Sequence, residues 1–191
     1  MDNRPRIGFA LCGSYCTFDR VIAVMEKMAA DGADIYPLMS ENAASTDTRF
    51  GKADDFLQKI QKITGHGVIR TIRDAEPVGP KALFDVLTVA PCTGNTLAKL
   101  ASGVADTAVT MAVKAHLRNE RPVVIAVSSN DALSGGAANI GSLLNRKNVY
   151  FVPMEQDDPE KKSRSVVARM ELIPDTLAAA LAGRQIQPIL L

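Results

Sequence analysis

Four short runs in this chain are apolar almost without interruption: residues 7–11, 34–39, 84–90 and 122–127. Strands with one wet face alternate apolar and polar residues, so continuous apolar runs belong to strands covered on both faces, as in a parallel sheet. Helical periodicity fills the intervals. Val21, Val24, Met25 and Met28 recur at i, i+3, i+4 and i+7 in a helix predicted over 17–30 and ended by Gly32. Phe56, Ile60 and Ile63 give an inward face to a helix predicted over 48–64. Leu97, Leu100, Ala101 and Val104 do the same after the third strand, and a further helix is predicted over 106–117. Residues 65–82, broken by Gly65, Gly67, Pro77 and Pro80, show no clear element. A helix over 139–144, a last strand over 149–152 and a helical tail from about 159, including 172–181, complete the reading. Strand and helix in alternation predict an α/β fold: an open parallel sheet with helices on both faces, in one domain over 1–191.

The chain has 191 residues, 47% of them apolar and 23% charged, with a net charge of +1. That balance predicts no nucleic-acid or anionic-membrane partner. Cys12, Cys16 and Cys92 are three thiols with no zinc-type spacing, which predicts free cysteines in a reducing compartment. The N-terminal segment, with Asp2, Arg4 and Arg6, lacks a signal-peptide core, and no apolar run approaches membrane-spanning length. The expectation is a cytoplasmic protein.

In open parallel sheets, ligands bind beyond the carboxyl ends of the strands. Four segments fall there: Leu11 to Ser14, Ser40 to Asn42, Pro91 to Thr96, and Ser128 to Asn130, all rich in small, hydroxyl and amide residues. Gly13 permits close backbone approach and Ser14 offers a hydroxyl; Thr93, Asn95 and Thr96 stand where a helix presents free N–H groups to an anion. Taken singly, Ser14, Thr93 and Asn95 read as helix caps. Four such loops on one edge predict a phosphorylated ligand, bound by Gly13, Ser14, Ser40, Thr93, Asn95, Thr96, Ser128 and Asn130. Gly13 is followed by Ser14, Tyr15 and Cys16, without the G-x-G-x-x-G pattern, so a mononucleotide fits better than a dinucleotide.

The stretch from Ala90 through Pro91, Cys92, Thr93, Gly94, Asn95 and Thr96 to Asp106 resembles the signature of the flavin-containing cysteine decarboxylases. That resemblance implies an FMN site bordered by Thr93, Asn95 and Thr96, with Gly13 and Ser14 as its phosphate loop and Ser40 on the nucleotide. It also implies a homo-oligomer, commonly a trimer. Two features depart from it. Residues 76–85 contain no histidine where the decarboxylases carry one, and Val127-Ser128-Ser129-Asn130 keeps only the asparagine of their Pro-x-Met-Asn segment. His66, between two glycines, is a weak candidate for a catalytic role; His116 is expected to cap a helix or face solvent. Cys12 and Cys92 read as buried packing residues, the alternative being thiols activated at a helix N-terminus. Ser134-Gly135-Gly136 reads as a lid or a plain turn.

Three longer strings carry a closer resemblance: Ile7 to Phe18, Ala90 to Leu100, and Ser128 to Gly141. They are similar to the dipicolinate synthase B-subunit family, nearly end to end. The resemblance implies a part in the oxidation of dihydrodipicolinate, a small dicarboxylate, in the mother cell of a sporulating bacterium. It places NADP on a partner A subunit, in keeping with the missing dinucleotide pattern here. Two other readings stand beside it: a non-catalytic scaffold that activates the A subunit, and a flavin-dependent decarboxylase of cysteine-type substrates.

Overall fold

A computed structural model describes residues 4–191; Asp2 lies outside the described residues. Five strands run parallel in the order β2-β1-β3-β4-β5: β1 (Arg6–Leu11), β2 (Asp34–Met39), β3 (Val86–Cys92), β4 (Val123–Ser129) and β5 (Val149–Phe151). Ile7 stands opposite Ile35 on one side and Val86 on the other. Every residue of β3 and β4 is buried, which requires cover on both faces. α1 (Phe18–Ala30) and α8 (Ile173–Leu181) supply part of it. α5 (Gly94–Ser102), α6 (Ala108–Arg118) and α7 (Ala137–Leu144) supply more. The predicted α/β sheet is present, and one apolar core runs from Ile7 to Ala180.

Some elements differ from the sequence expectation. The sheet is not wholly parallel. A hairpin of β6 (Met154–Gln156) and β7 (Val166–Ala168) joins it antiparallel, with Ser128 and Ser129 of β4 opposite Val167 and Val166. The predicted helical tail therefore carries strand pairing before its helix. Strands of three residues are too short to print an alternation. The helix predicted over 48–64 begins later, as α3 (Ala53–Thr64). Thr48 and Gly51 exchange backbone bonds at 3.0 and 3.1 Å, and Asp47 Oδ1 accepts from Ala53 N at 2.9 Å to start the helix. The opaque stretch 65–82 holds α4 (Ile72–Ala75), where the Thr71 hydroxyl accepts from Asp74 N at 3.1 Å, and a 3-10 turn at Glu76–Val78.

Charged residues pin the amino end of the sheet. Asp85 accepts from the Arg6 backbone at 2.8 Å and from the Arg6 and Arg121 guanidinium groups at 3.2 and 3.1 Å. Burial works to raise the Asp85 pKa, but the bonds and charge of Arg6 and Arg121 outweigh it and leave the carboxyl below its usual range.

Candidate functional site

The chain passes from β1 to β2 on one side and later to β3 on the other, so the crevice beyond β1 and β3 is the switch point of the sheet. A cavity of ≈ 700 Å³ lies there, within the size range of small-molecule sites. Gly13, Ser40, Thr93, Asn95 and Thr96 line it together with Cys12, Tyr15 and Asn42. Ser14, Ser128 and Asn130 are not part of that lining. Ser14 Oγ and Ser128 Oγ hydrogen-bond each other at 2.8 Å, tying the loop after β1 to the end of β4. Asn130 is exposed and its Oδ1 accepts from Ser165 Oγ at 3.4 Å, toward the hairpin.

Local chemistry explains how each wall is held. Ser40 opens the short helix α2 (Glu41–Ser45), accepting from Ala43 N at 3.3 Å. Thr93 opens α5, accepting from Thr96 N at 3.3 Å and donating to Thr96 Oγ1 at 3.1 Å. Both are caps in the ordinary sense. Asn95 sits inside α5, exposed, its amide without a hydrogen bond among the described residues. Ser14 makes no side-chain cap. A Cβ at Gly94 would lie 2.7 Å from both Asp131 Oδ1 and Ser129 Oγ, which are bonded to each other at 2.5 Å, so a larger residue there would have to displace that pair.

Several lining residues were not among the predicted binding residues, although Glu41 falls in the Ser40 to Asn42 segment and Lys99 and Asp106 in the Ala90 to Asp106 stretch. Tyr15 donates to the Asn42 carbonyl at 2.8 Å, bridging the β1 loop to α2. Glu41 accepts from Ala108 N at 3.1 Å, so α2 helps to cap α6 across sixty-seven positions. Lys99 and Asp106 form an ion pair at 2.9 Å on the rim. These contacts join residues far apart in the chain and follow no local pattern.

Neither imidazole lines the cavity, and two of the three thiols are buried. Cys12 and Cys92 are buried, and burial pushes the Cys12 thiol up to about 11 and the Cys92 thiol well above its ordinary value. Both belong to the apolar core, and Cys12 also lines the cavity. His66 bonds Asp34 at 2.9 Å and stacks on Tyr36 at 4.1 Å, at the amino end of β2, remote from the cavity edge. His116 neither caps the end of a helix nor faces solvent: it is 1% exposed, in the core. Apolar neighbours on α6 draw that face inward. Ser134, Gly135 and Gly136 form a pinned turn, with Ser134 N and Gly136 N both donating to the Asp131 carbonyl at 2.9 and 3.0 Å.

Likeness to known proteins decides the family. Residues 1–173 match the flavoprotein family. The chain belongs to the flavoprotein family. The B subunit of dipicolinate synthase from Bacillus subtilis (strain 168) is 46% identical over 185 residues, covering 97% of this chain and 92% of that protein. The crystal structure of the corresponding dipicolinate synthase B subunit of Bacillus halodurans superposes with a TM-score of 0.90 at 42% identity, over 100% of this chain and 98% of that one. This flavoprotein-family chain is thus of the dipicolinate synthase B-subunit type. The FMN-dependent cysteine decarboxylase SpaF matches at TM-score 0.66 and 24% identity, over 93% and 97% of the two chains, and shares the fold. Among the described residues no helix is long and apolar enough to cross a membrane, and no cluster of residues has the make-up of a metal site.

Proposed function

We propose that this flavoprotein-family chain is the mononucleotide-holding subunit of a dipicolinate synthase. With an A-type subunit that carries NADP, it oxidises dihydrodipicolinate to dipicolinate in the cytoplasm of the mother cell. The reaction removes a hydride, which NADP accepts, and a proton. The observation that carries the reading is the hydroxyl- and amide-lined cavity at the β1/β3 switch point, in a chain 46% identical to a dipicolinate synthase B subunit.

The lining fits FMN. Ser40, Thr93 and Thr96 offer hydroxyls, Asn95 an amide with no hydrogen bond among the described residues, and Gly13 a side of backbone where the nearest contact of an added Cβ would be the Tyr15 side chain, at 3.5 Å. Ser14 and Ser128, bonded to each other, and Asn130 stand outside that lining and would help to hold the group from the β4 side. When bound, FMN supplies two-electron redox chemistry. The chain's own part is to bind and orient. Its lining carboxylates are committed, Glu41 to Ala108 and Asp106 to Lys99. Lys99, the cation of the lining, is paired with Asp106, so this reading leaves the substrate's carboxylates to the partner subunit. The chain is a homo-oligomer in this reading, built on trimers.

The absence of a histidine from the lining also favours a second reading, a scaffold that activates its partner without redox chemistry of its own. A reconstituted assay tests the first. The chain, its A-type subunit, dihydrodipicolinate and NADP are combined, and NADPH formation is followed by absorbance. Formation should require both chains and should fall at least tenfold when this chain is left out. An A subunit equally fast alone would end the proposal. Full activity with a variant that no longer binds FMN would move the conclusion to the scaffold.

A further inference from the structure

α6 begins at the candidate site, where Thr107 lines the cavity, and runs away from it with a groove on each flank. One groove, ≈ 450 Å³, lies between α6 and α4; the other, ≈ 420 Å³, lies between α6, the end of α5 and the turn after α7. Their floors are apolar, and each has an exposed apolar residue at its margin: Ile72, 39% exposed, on the first and Val104, 43% exposed, on the second. Lys114 and Arg118 form the ridge that both grooves share.

Charge on this face departs from the near-neutral balance of the chain. The linings carry Arg73, Lys114, Arg118, Arg146 and Lys147 against the single carboxylate Glu76. Lys147 pairs with Glu120 at 3.3 Å, and Arg146 donates to the carbonyls of Leu100 and Ala101, closing the end of α5. Arg73, Lys114 and Arg118 have no carboxylate partner among the described residues. Lys114 and Arg118 are four apart on one helix face, where like charges repel. The helix dipole favours Arg118 in the last turn but does not account for Lys114. Apolar floors between unpaired cations suit an acidic protein segment with apolar anchors, the pattern of an interface with charged rim and apolar centre.

We propose that the two grooves flanking α6 are the docking surface for the paired A-type subunit, which lays an acidic, apolar-anchored segment across the Lys114–Arg118 ridge. This rests on the pairing proposed above. The location suits it: the loop from Gly103 to Thr107 has one end on the second groove and the other, Asp106 and Thr107, on the cavity. A partner seated there stands beside the site it must serve.

The test is sedimentation of the purified full-length chain with its full-length A-type subunit. Lys114→Glu with Arg118→Glu should weaken the pairing tenfold or more, and raising the salt should weaken the parent pair. Lys59→Glu with Lys62→Glu, the same charge change on the exposed side of α3, should leave it within about twofold. If the α6 pair unfolds, Arg73→Glu with Ile72→Ser on α4 makes the same test from the other wall. Pairing that survives both ridge and wall variants, or that falls equally with the α3 control, overturns the docking surface alone. Loss of self-association in place of pairing shows a contact between copies of this chain and also overturns it. Failure of the unaltered chain to pair at all overturns both this surface and the two-subunit reaction.

Discussion

Phe84→Ala is expected to destabilise the folded chain by about 3–5 kcal/mol, the range for removing a fully enclosed aromatic ring. Phe84 is 0% exposed and lies just before β3. Its ring centre is 5.6 Å from that of Tyr36 and 6.3 Å from that of His116. β1 makes room for it with Gly8, where a Cβ would fall 2.5 Å from the Phe84 ring and 2.6 Å from Leu87. Chemical denaturation should show a lower midpoint with an unchanged slope. Gly8→Ala should also destabilise the parent, by overpacking, and cost less once Phe84 is alanine. A double-mutant cycle reads that coupling. A loss below about 1 kcal/mol for Phe84→Ala would be outside the range for a filled core position and would contradict this packing.

The second large effect is on pH. His116 is almost fully enclosed; its Nε2–H donates to the Pro122 carbonyl at 3.1 Å, and Nδ1 has no partner among the described residues. Burial pushes its pKa down, from 6.5 to about 4, the Pro122 bond partly opposing and Arg121 adding to the drop. The folded chain keeps the ring neutral while the unfolded chain protonates it near 6.5, so unfolding takes up a proton in between. Stability from this group is therefore complete above about pH 6.5 and is lost as pH falls toward about 4. The span corresponds to a loss on the order of 3 kcal/mol. Asp85, whose pKa is lowered in the fold, contributes in the same direction but at lower pH, below the ordinary carboxylate value. His116→Gln, neutral and able to donate to Pro122, should flatten the slope between pH 6.5 and 4 in denaturation curves. An unchanged slope would show that another group titrates there.

The sequence made the parallel sheet readable because β1, β3 and β4 are covered on both faces and print as nearly continuous apolar runs. It also carried the family, through long strings around Gly13 and Thr93. Short range set its limits. β6 and β7 hold three residues each and are ordered by pairing with β4 and with each other. The start of α3 is decided by a turn at Thr48 and Gly51 and by Asp47, while the apolar spacing extends past it. The loops that form the candidate site were visible as small and hydroxyl-rich segments. Which of them share one cavity was not. Tyr15, Glu41 and Lys99 come to the lining through contacts with Asn42, Ala108 and Asp106 that local pattern does not encode. His116 was misplaced because a polar residue late in a helix resembles a cap, whereas α6 turns that position toward the core.

The most direct test of the mononucleotide site is an FMN titration of the purified chain followed by flavin fluorescence, beside Ser40→Asp. Aspartate caps a helix about as well as serine, so the variant keeps α2 while placing a charge on the cavity wall. Two like charges about 4 Å apart repel by about 1 kcal/mol in water and about 4 kcal/mol in the surroundings of a partly buried pair, enough to weaken binding of a phosphate tenfold or more. Saturable binding by the parent, lost or weakened at least tenfold in Ser40→Asp, is the predicted result. No binding by the parent, or equal binding by both proteins, would contradict a phosphate-bearing cofactor at this crevice.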